Sequence, residues 1–151
     1  MLKYKKEIGL VCEMGIKCPP DNIYPMIGKM YRFLHTEECD FVKNNNLPNK
    51  SIIPHRGLDD NVKCIGYAAL SCFETIDGAI RKYRDITTSV KQFYKTAGCH
   101  LGEFSVIEED GFRTEADLNY THFSFFEKKE CNFNDVKKYS LVTKLVNECG
   151  I

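Results

Sequence analysis

The stretch VKCIGYAALSCFETIDGAIRKYR, residues 62–84, carries the clearest structural pattern in the chain. Residues 62–70 form an apolar run with β-branched and aromatic members, which is typical of a buried strand. Ser71 and Glu74 have the spacing of a capping box, in which the serine hydroxyl accepts a hydrogen bond from a backbone amide in the first helical turn. The pattern predicts a buried strand followed directly by a helix that opens at Ser71.

The predicted helix is amphipathic, because its apolar residues recur at the spacing that places them on one helix face. They are Ile76, Ala79, Ile80 and Tyr83. A second helical pattern covers residues 90–97, and Gly98 follows it as the residue that ends the helix. The middle of the chain is therefore predicted to be a strand–helix–helix unit.

Other segments are predicted as strands from their alternating or apolar character. They are residues 8–14, 30–35, 51–53, 100–107 and 121–127. A short helix is predicted after Thr36, and the pattern of residues 134–149 fits either a helix or a strand followed by a helix. A chain of 151 residues has the size of one domain. We therefore expect a single α+β domain over residues 1–151, with a mostly antiparallel sheet and helices packed on it.

Charge and hydropathy exclude several function classes. The chain has 21 Lys and Arg residues against 21 Asp and Glu residues, so no broad nucleic-acid footprint is expected. No apolar run approaches the roughly 18 residues of a membrane span. Glu7 and Glu13 interrupt the apolar part of the N-terminus, which argues against a secretory signal. We therefore expect a cytoplasmic protein without membrane association.

The eight cysteines are predicted to be reduced side chains that pack as small apolar residues. Disulfides are expected in exported proteins, and no export signal is apparent. A zinc site usually shows closely spaced ligand pairs, whereas the nearest cysteines here, Cys12 and Cys18, are six positions apart. No metal is therefore expected. The motifs of Rossmann dehydrogenases, P-loop ATPases, α/β-hydrolases and zincins are also absent from the sequence.

Three polar residues occupy positions that need an explanation. Arg32 lies within the aromatic and aliphatic segment Met30–Leu34, where its charge must either face solvent or meet an anion. Ser71 either caps a helix or binds a ligand at the junction of a strand and a helix. His122 alternates with phenylalanines, which fits either a core histidine or a residue of a cleft.

These residues also carry a resemblance. The order of Tyr31-Arg32 on an early strand, Ala69-Leu70-Ser71 at a later strand end, and a following helix with Glu74 and Ala79 resembles the ADP-ribosyltransferase superfamily. The stretch GYAALSCFETIDGAIRKYR, followed by HLGEFSV and the strand of His122, is similar to small bacterial proteins of that type. The resemblance covers residues 30–127.

The resemblance implies a protein that binds or cleaves NAD, with one glutamate as the catalytic acid. Arg32 would hold the pyrophosphate, and an aromatic ring, Tyr67 or Phe73, would stack on nicotinamide. The cofactor-binding residues are then Arg32, Tyr31, Ser71, Tyr67 and His122. The candidates for the acid are Glu103, Glu109 and Glu127, and the sequence does not choose among them.

Two other functions are compatible with the same sequence. One is a non-enzymatic protein-interaction or regulatory domain, for instance from a mobile element or a bacterial conflict system, whose partner would be a protein target rather than a small-molecule nucleotide. The other is an enzyme with a cysteine nucleophile paired with His35 or His122; His35 and Cys39, four positions apart, could share a helix face. Binding or consumption of NAD separates the first hypothesis from these two.

Overall fold

A computed structural model describes residues 1–146 of the chain. Within them, seven strands form one antiparallel sheet. They are β1 (Tyr24–Pro25), β2 (Gly28–Leu34), β3 (Leu70–Phe73), β4 (His100–Val106), β5 (Gly111–Arg113), β6 (His122–Glu127) and β7 (Tyr139–Lys144). Their order across the sheet is β1-β5-β6-β3-β2-β4-β7.

Five α-helices among the described residues pack around this sheet. They are α1 (Lys5–Glu13), α2 (Asn49–Ile52), α3 (Asp60–Ala68), α4 (Ile76–Ser89) and α5 (Phe93–Ala97). The described residues thus form one α+β domain, as the sequence predicts. None of these helices combines the length and the apolar character that a membrane span requires.

The long helix α4 confirms the amphipathic pattern of the sequence. Ala79 and Tyr83 are fully buried, Ile80 is half-buried, and only Ile76 at the first turn is exposed. The Tyr83 hydroxyl donates to the carbonyl of Gly98 at 2.8 Å, which ties α4 to the end of α5. Burial of this face against the sheet positions the whole helix.

The two faces of the sheet are covered differently. One face carries the larger apolar cluster, in which Phe104 contacts the rings of Phe133 and Tyr139 from the segment after β6. The other face packs against the helices, with Phe73 next to Ala79 of α4. The predicted alternation in β6 is confirmed, because Phe123 and Phe125 join the first cluster while Phe126 joins the cluster of α1 and α3 residues.

The prediction for residues 62–70 is wrong. They form α3 up to Ala68, and the strand begins only at Leu70. A short apolar run fits a buried helix as well as a buried strand, and α3 buries Cys64 and Ala68, one helical turn apart, in the cluster that includes Val11 of α1. Ser71 consequently lies inside β3, not at a helix start.

The helix start lies four residues further on. The Thr75 side chain accepts a hydrogen bond from the Gly78 amide at 3.0 Å, so Thr75 is the N-cap of α4. Glu74 forms an ion pair with Arg113 at 2.8 Å instead of closing a capping box. The spacing of Ser71 and Glu74 was therefore a coincidence of sequence.

Three shorter predictions also differ from the structure. Residues 8–14 belong mainly to helix α1, and residues 51–53 lie at the end of helix α2. The segment after Thr36 forms turns and a 3₁₀ helix at Val42–Asn44 instead of an α-helix. Each segment is short, and tertiary packing overrides local preference at such lengths. Of the two structures predicted for residues 134–149, the strand is present as β7, and a helix after it is not tested because residues 147–149 lie outside the described part.

The junction between β2 and β3 is the weakest seam of the sheet. In the described residues a single register pair, Tyr31 with Phe73, joins these strands, whereas β2 pairs with β4 along its whole length. Beyond Tyr31 the ladder between β2 and β3 ends. This seam is where the site described below opens.

The prediction of eight reduced thiols is wrong. Cys18 and Cys64 form a disulfide that links the turn after α1 to α3, and Cys99 is also disulfide-bonded. Cys12, Cys39, Cys72 and Cys131 are free thiols. The spacing of the paired cysteines, 46 positions, gives no local signal, so only the tertiary contact of α1 with α3 reveals the pair.

Removal of this disulfide is expected to lower the free energy of unfolding substantially. Closing a loop of 46 residues restricts the unfolded chain by about 4 kcal/mol in the chain-entropy account. We expect Cys18→Ser to lose about that amount in urea unfolding without reductant. Cys12→Ser, which removes an exposed free thiol nearby, is the matched control and should stay within about 0.5 kcal/mol of the wild type. Equal stability of the two variants would contradict the role of the bridge.

Candidate functional site

A cleft of about 300 Å³ opens beside the seam between β2 and β3. Arg32 and Phe33 line it from β2, and Ser71 and Phe73 line it from β3. The loop of residues 44–49, helices α3, α4 and α5, and the segment around His122 supply the remaining walls. Because the ladder ends beyond Tyr31, the cleft is walled by side chains of both strands at the point where they part.

Arg32 is the charged residue at the base of this cleft. Its side chain is buried, with only 7% of the residue exposed. Its guanidinium donates to the Ser71 carbonyl at 2.5 Å and to the Asn46 side chain at 3.1 Å. Asn46 in turn donates to Asn134 at 2.8 Å, which fixes the amide that Arg32 uses. The guanidinium is therefore held in one position by neutral acceptors.

No carboxylate among residues 1–146 lies within ion-pair distance of Arg32. The hydrogen-bond acceptors of Arg32 are neutral, and the buried carboxylate of Glu127, whose pKa is raised by burial while the positive charge of Arg32 acts to lower it, lies beyond ion-pair distance. The loss of hydration of the guanidinium is therefore only partly compensated. A guanidinium also presents several donors in a planar fork that matches a phosphate or carboxylate. Arg32 thus favours an anionic ligand in the cleft.

Ser71 and His122 contact each other across β3 and β6. The Ser71 hydroxyl and Nε2 of His122 are 2.6 Å apart, a short hydrogen bond. Phe73 packs against the edge of the His122 ring, with ring centroids 5.3 Å apart. The hydroxyl is exposed to the cleft, so the pair is both ordered and reachable by a ligand.

The environment of His122 favours its neutral form. Burial lowers the pKa of His122 below its ordinary value of 6.5, and the positive charges of Lys82 and Arg32 lower it further, while Asp117 opposes them. The imidazole is therefore uncharged at neutral pH. A neutral imidazole can accept a proton from a hydroxyl group.

Asp117 lies at the same cleft. Its Oδ1 atom accepts from the backbone amides of Tyr120 at 2.8 Å and of His122 at 3.2 Å. Partial burial acts to raise the pKa of Asp117, but these two hydrogen bonds and the electrostatic effects of His122 and Lys82 together lower it. The carboxylate is consequently ionised and oriented by the loop that leads into β6.

Helix α4 holds that loop in place. Gly78 approaches the loop so closely that a side chain at this position would collide with the carbonyl of Tyr120. The Thr121 hydroxyl, in a residue with φ of 57°, lies 2.9 Å from that of Thr75. The N-terminus of α4 and the loop therefore form one unit that positions Asp117 and His122.

Aromatic rings form the apolar wall of the cleft. Phe33 packs against Phe73 and Phe93 at centroid distances of 5.2 and 6.0 Å. Ile86 of α4 and Ile65 of α3 extend this wall on either side. The cleft thus combines the positive charge of Arg32 with an apolar wall, which is the usual composition of a small-molecule site.

The structure brings together four of the nine residues that the sequence analysis named for the NAD site. Arg32, Ser71, Phe73 and His122 all line the cleft. Tyr31 directly precedes Arg32, but it does not line the cleft, and its hydroxyl donates to Glu103 at 3.0 Å. Tyr67 faces Lys50, also outside the lining.

The three candidate glutamates do not line the cleft. Glu103 of β4 also lies near Lys29 of β2, with 3.7 Å between the charged groups. Glu109 is exposed in a 3₁₀ helix that follows β4. Glu127 is buried at the far end of β6, where Lys3 pairs with it at 2.6 Å. The acid that lies at the cleft is Asp117.

Sequence reasoning missed several residues of the site. Asp117 belongs to an acidic run that reads as a solvated face, and Asn46 belongs to a polar loop with no distinctive motif. Lys82 lies between the apolar residues Ile80 and Tyr83 of α4 and has the sequence context of an ordinary surface lysine. No local signal separates these residues from similar ones elsewhere, because only the folded chain brings their loops to one cleft.

His35 and Cys39 lie together, with 3.7 Å between Nδ1 and Sγ, but both side chains are buried. Among residues 1–146, no group of three or more His, Cys, Asp or Glu side chains is arranged to hold a metal ion. No family model, no curated protein and no solved structure matches this chain. The function must therefore be argued from the cleft itself.

The lowered pKa of His122 predicts a pH-dependent stability. Between the folded pKa and 6.5 the unfolded chain binds more protons, so stability is full above pH 6.5 and declines as the pH falls below it. One histidine contributes a slope of at most about 1.4 kcal/mol per pH unit. We expect His122→Gln to flatten the dependence of the unfolding free energy measured between pH 5 and 7.

The control for this measurement is His55→Gln, at an exposed loop position. It should keep the wild-type slope, because it changes an exposed residue outside the cleft. Identical slopes for the wild type and His122→Gln would show that His122 is not held neutral by its surroundings.

Proposed function

We propose that the cleft binds a nucleotide that carries a pyrophosphate, and that the protein is an ADP-ribosyltransferase-like domain whose ligand is NAD. The observation that carries the proposal is the buried Arg32 guanidinium, which lines the cleft and has no carboxylate within ion-pair distance among the described residues. An anion of the ligand would supply the missing charge.

The remaining lining supports a nucleotide rather than an inorganic anion. The rings of Phe33, Phe73 and Phe93 offer an apolar wall for a base or a nicotinamide ring. Lys82 adds a second positive charge for the pyrophosphate. The order of Arg32 and Ser71 on their strands is also the feature on which the resemblance to ADP-ribosyltransferases rests.

We propose Asp117 as the acid of this site, in place of the three glutamates. Cleavage of NAD at the bond between nicotinamide and ribose develops positive charge on the ribose, which a nearby carboxylate stabilises. Asp117 is ionised and oriented by the loop before β6. Its position at the cleft is what Glu103, Glu109 and Glu127 lack.

The expected cytoplasmic location stays a prediction. The Cys18–Cys64 disulfide counts against it, because disulfides form and persist mainly in oxidising compartments. Thiol titration of the protein isolated from its own source would decide the matter.

Binding is tested by calorimetric titration with NAD, ADP-ribose and adenosine. We expect NAD and ADP-ribose to bind and adenosine to bind far more weakly, because it lacks the pyrophosphate. Arg32→Ala should weaken NAD binding by about 2 kcal/mol or more, and Arg32→Lys should not restore it fully, since the planar fork is lost. Arg84→Ala, an exposed arginine of α4 outside the cleft, is the matched control.

A thermal unfolding curve of each arginine variant shows that a loss of binding is not a loss of fold. Absence of heat from the wild type at millimolar NAD and ADP-ribose would overturn the proposal, and so would equal binding of adenosine. The interaction-domain hypothesis would then take its place.

Cleavage is tested by release of nicotinamide from NAD, measured by chromatography. We expect Asp117→Asn to lower the rate at least about tenfold while NAD still binds, because the amide cannot stabilise positive charge. Glu103→Gln, which changes an acid outside the cleft, should leave the rate unchanged. A loss of rate in Glu103→Gln and an unchanged rate in Asp117→Asn would instead assign the role of the acid to Glu103 of β4.

A further inference from the structure

The hydrogen bond between Ser71 and His122 could activate the serine hydroxyl, and the proposed binding of NAD makes no use of such activation. A serine hydroxyl becomes a nucleophile when an adjacent base accepts its proton. The two atoms that this requires, Oγ of Ser71 and Nε2 of His122, are 2.6 Å apart. The hydroxyl opens to the cleft and is not enclosed by the core.

We propose that Ser71 is a nucleophile for which His122 is the general base, and that the cleft hydrolyses carboxylic esters that carry a negative charge. The charge preference follows from Arg32 and Lys82, whose two positive charges outnumber the one carboxylate of the lining, that of Asp117. The apolar rings of Phe33 and Phe73 fit the hydrocarbon part of such an ester. This activity goes beyond the proposed binding of NAD and does not depend on it.

The reaction needs no co-reactant besides water. Ser71 Oγ attacks the acyl carbon, His122 Nε2 takes the hydroxyl proton, and the bond from the acyl carbon to the alcohol oxygen breaks. The alcohol leaves with the proton from His122. Water then attacks the acyl group on Ser71, His122 takes one proton from the water, and this proton returns to Ser71 as the acid is released.

The fold fixes both groups for this role. Ser71 lies in β3 opposite Ser124 of β6, and its carbonyl accepts from the Arg32 guanidinium. This bond holds the guanidinium in the lining of the cleft that the Ser71 hydroxyl also faces. His122 begins β6 and packs against Phe73, which limits rotation of its ring.

The groups that face His122 determine the pH dependence of the reaction. They are Asp117 on the preceding loop, Lys82 on α4, Arg32 on β2 and Ser71 on β3. Their combined effect, together with burial, keeps the imidazole neutral near pH 7. The rate is therefore expected to hold through pH 6.5 and to fall only at more acidic pH, where the folded protein reaches the lowered pKa of His122.

The test is covalent labelling of the full chain by a fluorophosphonate. Its phosphorus bonds to Oγ of an activated serine, fluoride leaves, and the hydroxyl proton passes to the base. We expect mass spectrometry of the digested protein to place the adduct on Ser71. His122→Gln should slow labelling at least about 100-fold. Ser105→Ala, which removes a strand serine that contacts Lys29 instead of a histidine, should label at the wild-type rate.

Hydrolysis of an anionic p-nitrophenyl ester provides the second measurement, with its pH profile. Absence of a Ser71 adduct in the wild type would overturn the proposal, whatever the variants do. Wild-type labelling by His122→Gln, or equal labelling of several surface serines, would also overturn it. Calorimetry with NAD reports on the proposed function separately, so either result can fail while the other stands.

Discussion

The hydrogen bond from the Arg32 guanidinium to the Ser71 carbonyl is the interaction on which the site depends. It joins β2 to β3 where their ladder has ended, since a single register pair at Tyr31 and Phe73 precedes it. A side-chain hydrogen bond therefore replaces the backbone hydrogen bond that a continued ladder would have formed between the two strands. It leaves a charged group at the base of an open cleft, where a regular strand pair would have placed only backbone.

The free-energy cost of burying the Arg32 guanidinium explains the polar residues that surround it. A buried guanidinium is tolerated only when its donors are occupied, and Asn46, held by Asn134, supplies a neutral acceptor. An anionic side chain in the same place would have neutralised the charge. Under the proposed function, stability and anion binding therefore make opposite demands on Arg32.

The opposite wall of the cleft is assembled from a different part of the chain. Helix α4 buries Ala79 and Tyr83 and thereby fixes its own N-terminus, against which the loop of residues 117–121 packs through Gly78 and Thr75. This loop delivers Asp117 and His122 together. The Cys18–Cys64 disulfide secures α3, which borders the cleft on a third side. Three separate packing contacts thus converge on one cavity.

The sequence by itself determined the class of the fold, the amphipathic helix α4 and the strands β2, β4 and β6, because periodic burial leaves a direct record in the order of residues. It also singled out Arg32, Ser71 and His122, since a charged or polar residue among apolar neighbours needs a partner. Only the tertiary structure decided that residues 62–68 are a helix, that Cys18 meets Cys64, and that the acid at the cleft is Asp117 and none of the three glutamates. Short apolar runs fit two structures equally well, and contacts between distant segments leave no local pattern, so the packing of the whole chain had to choose.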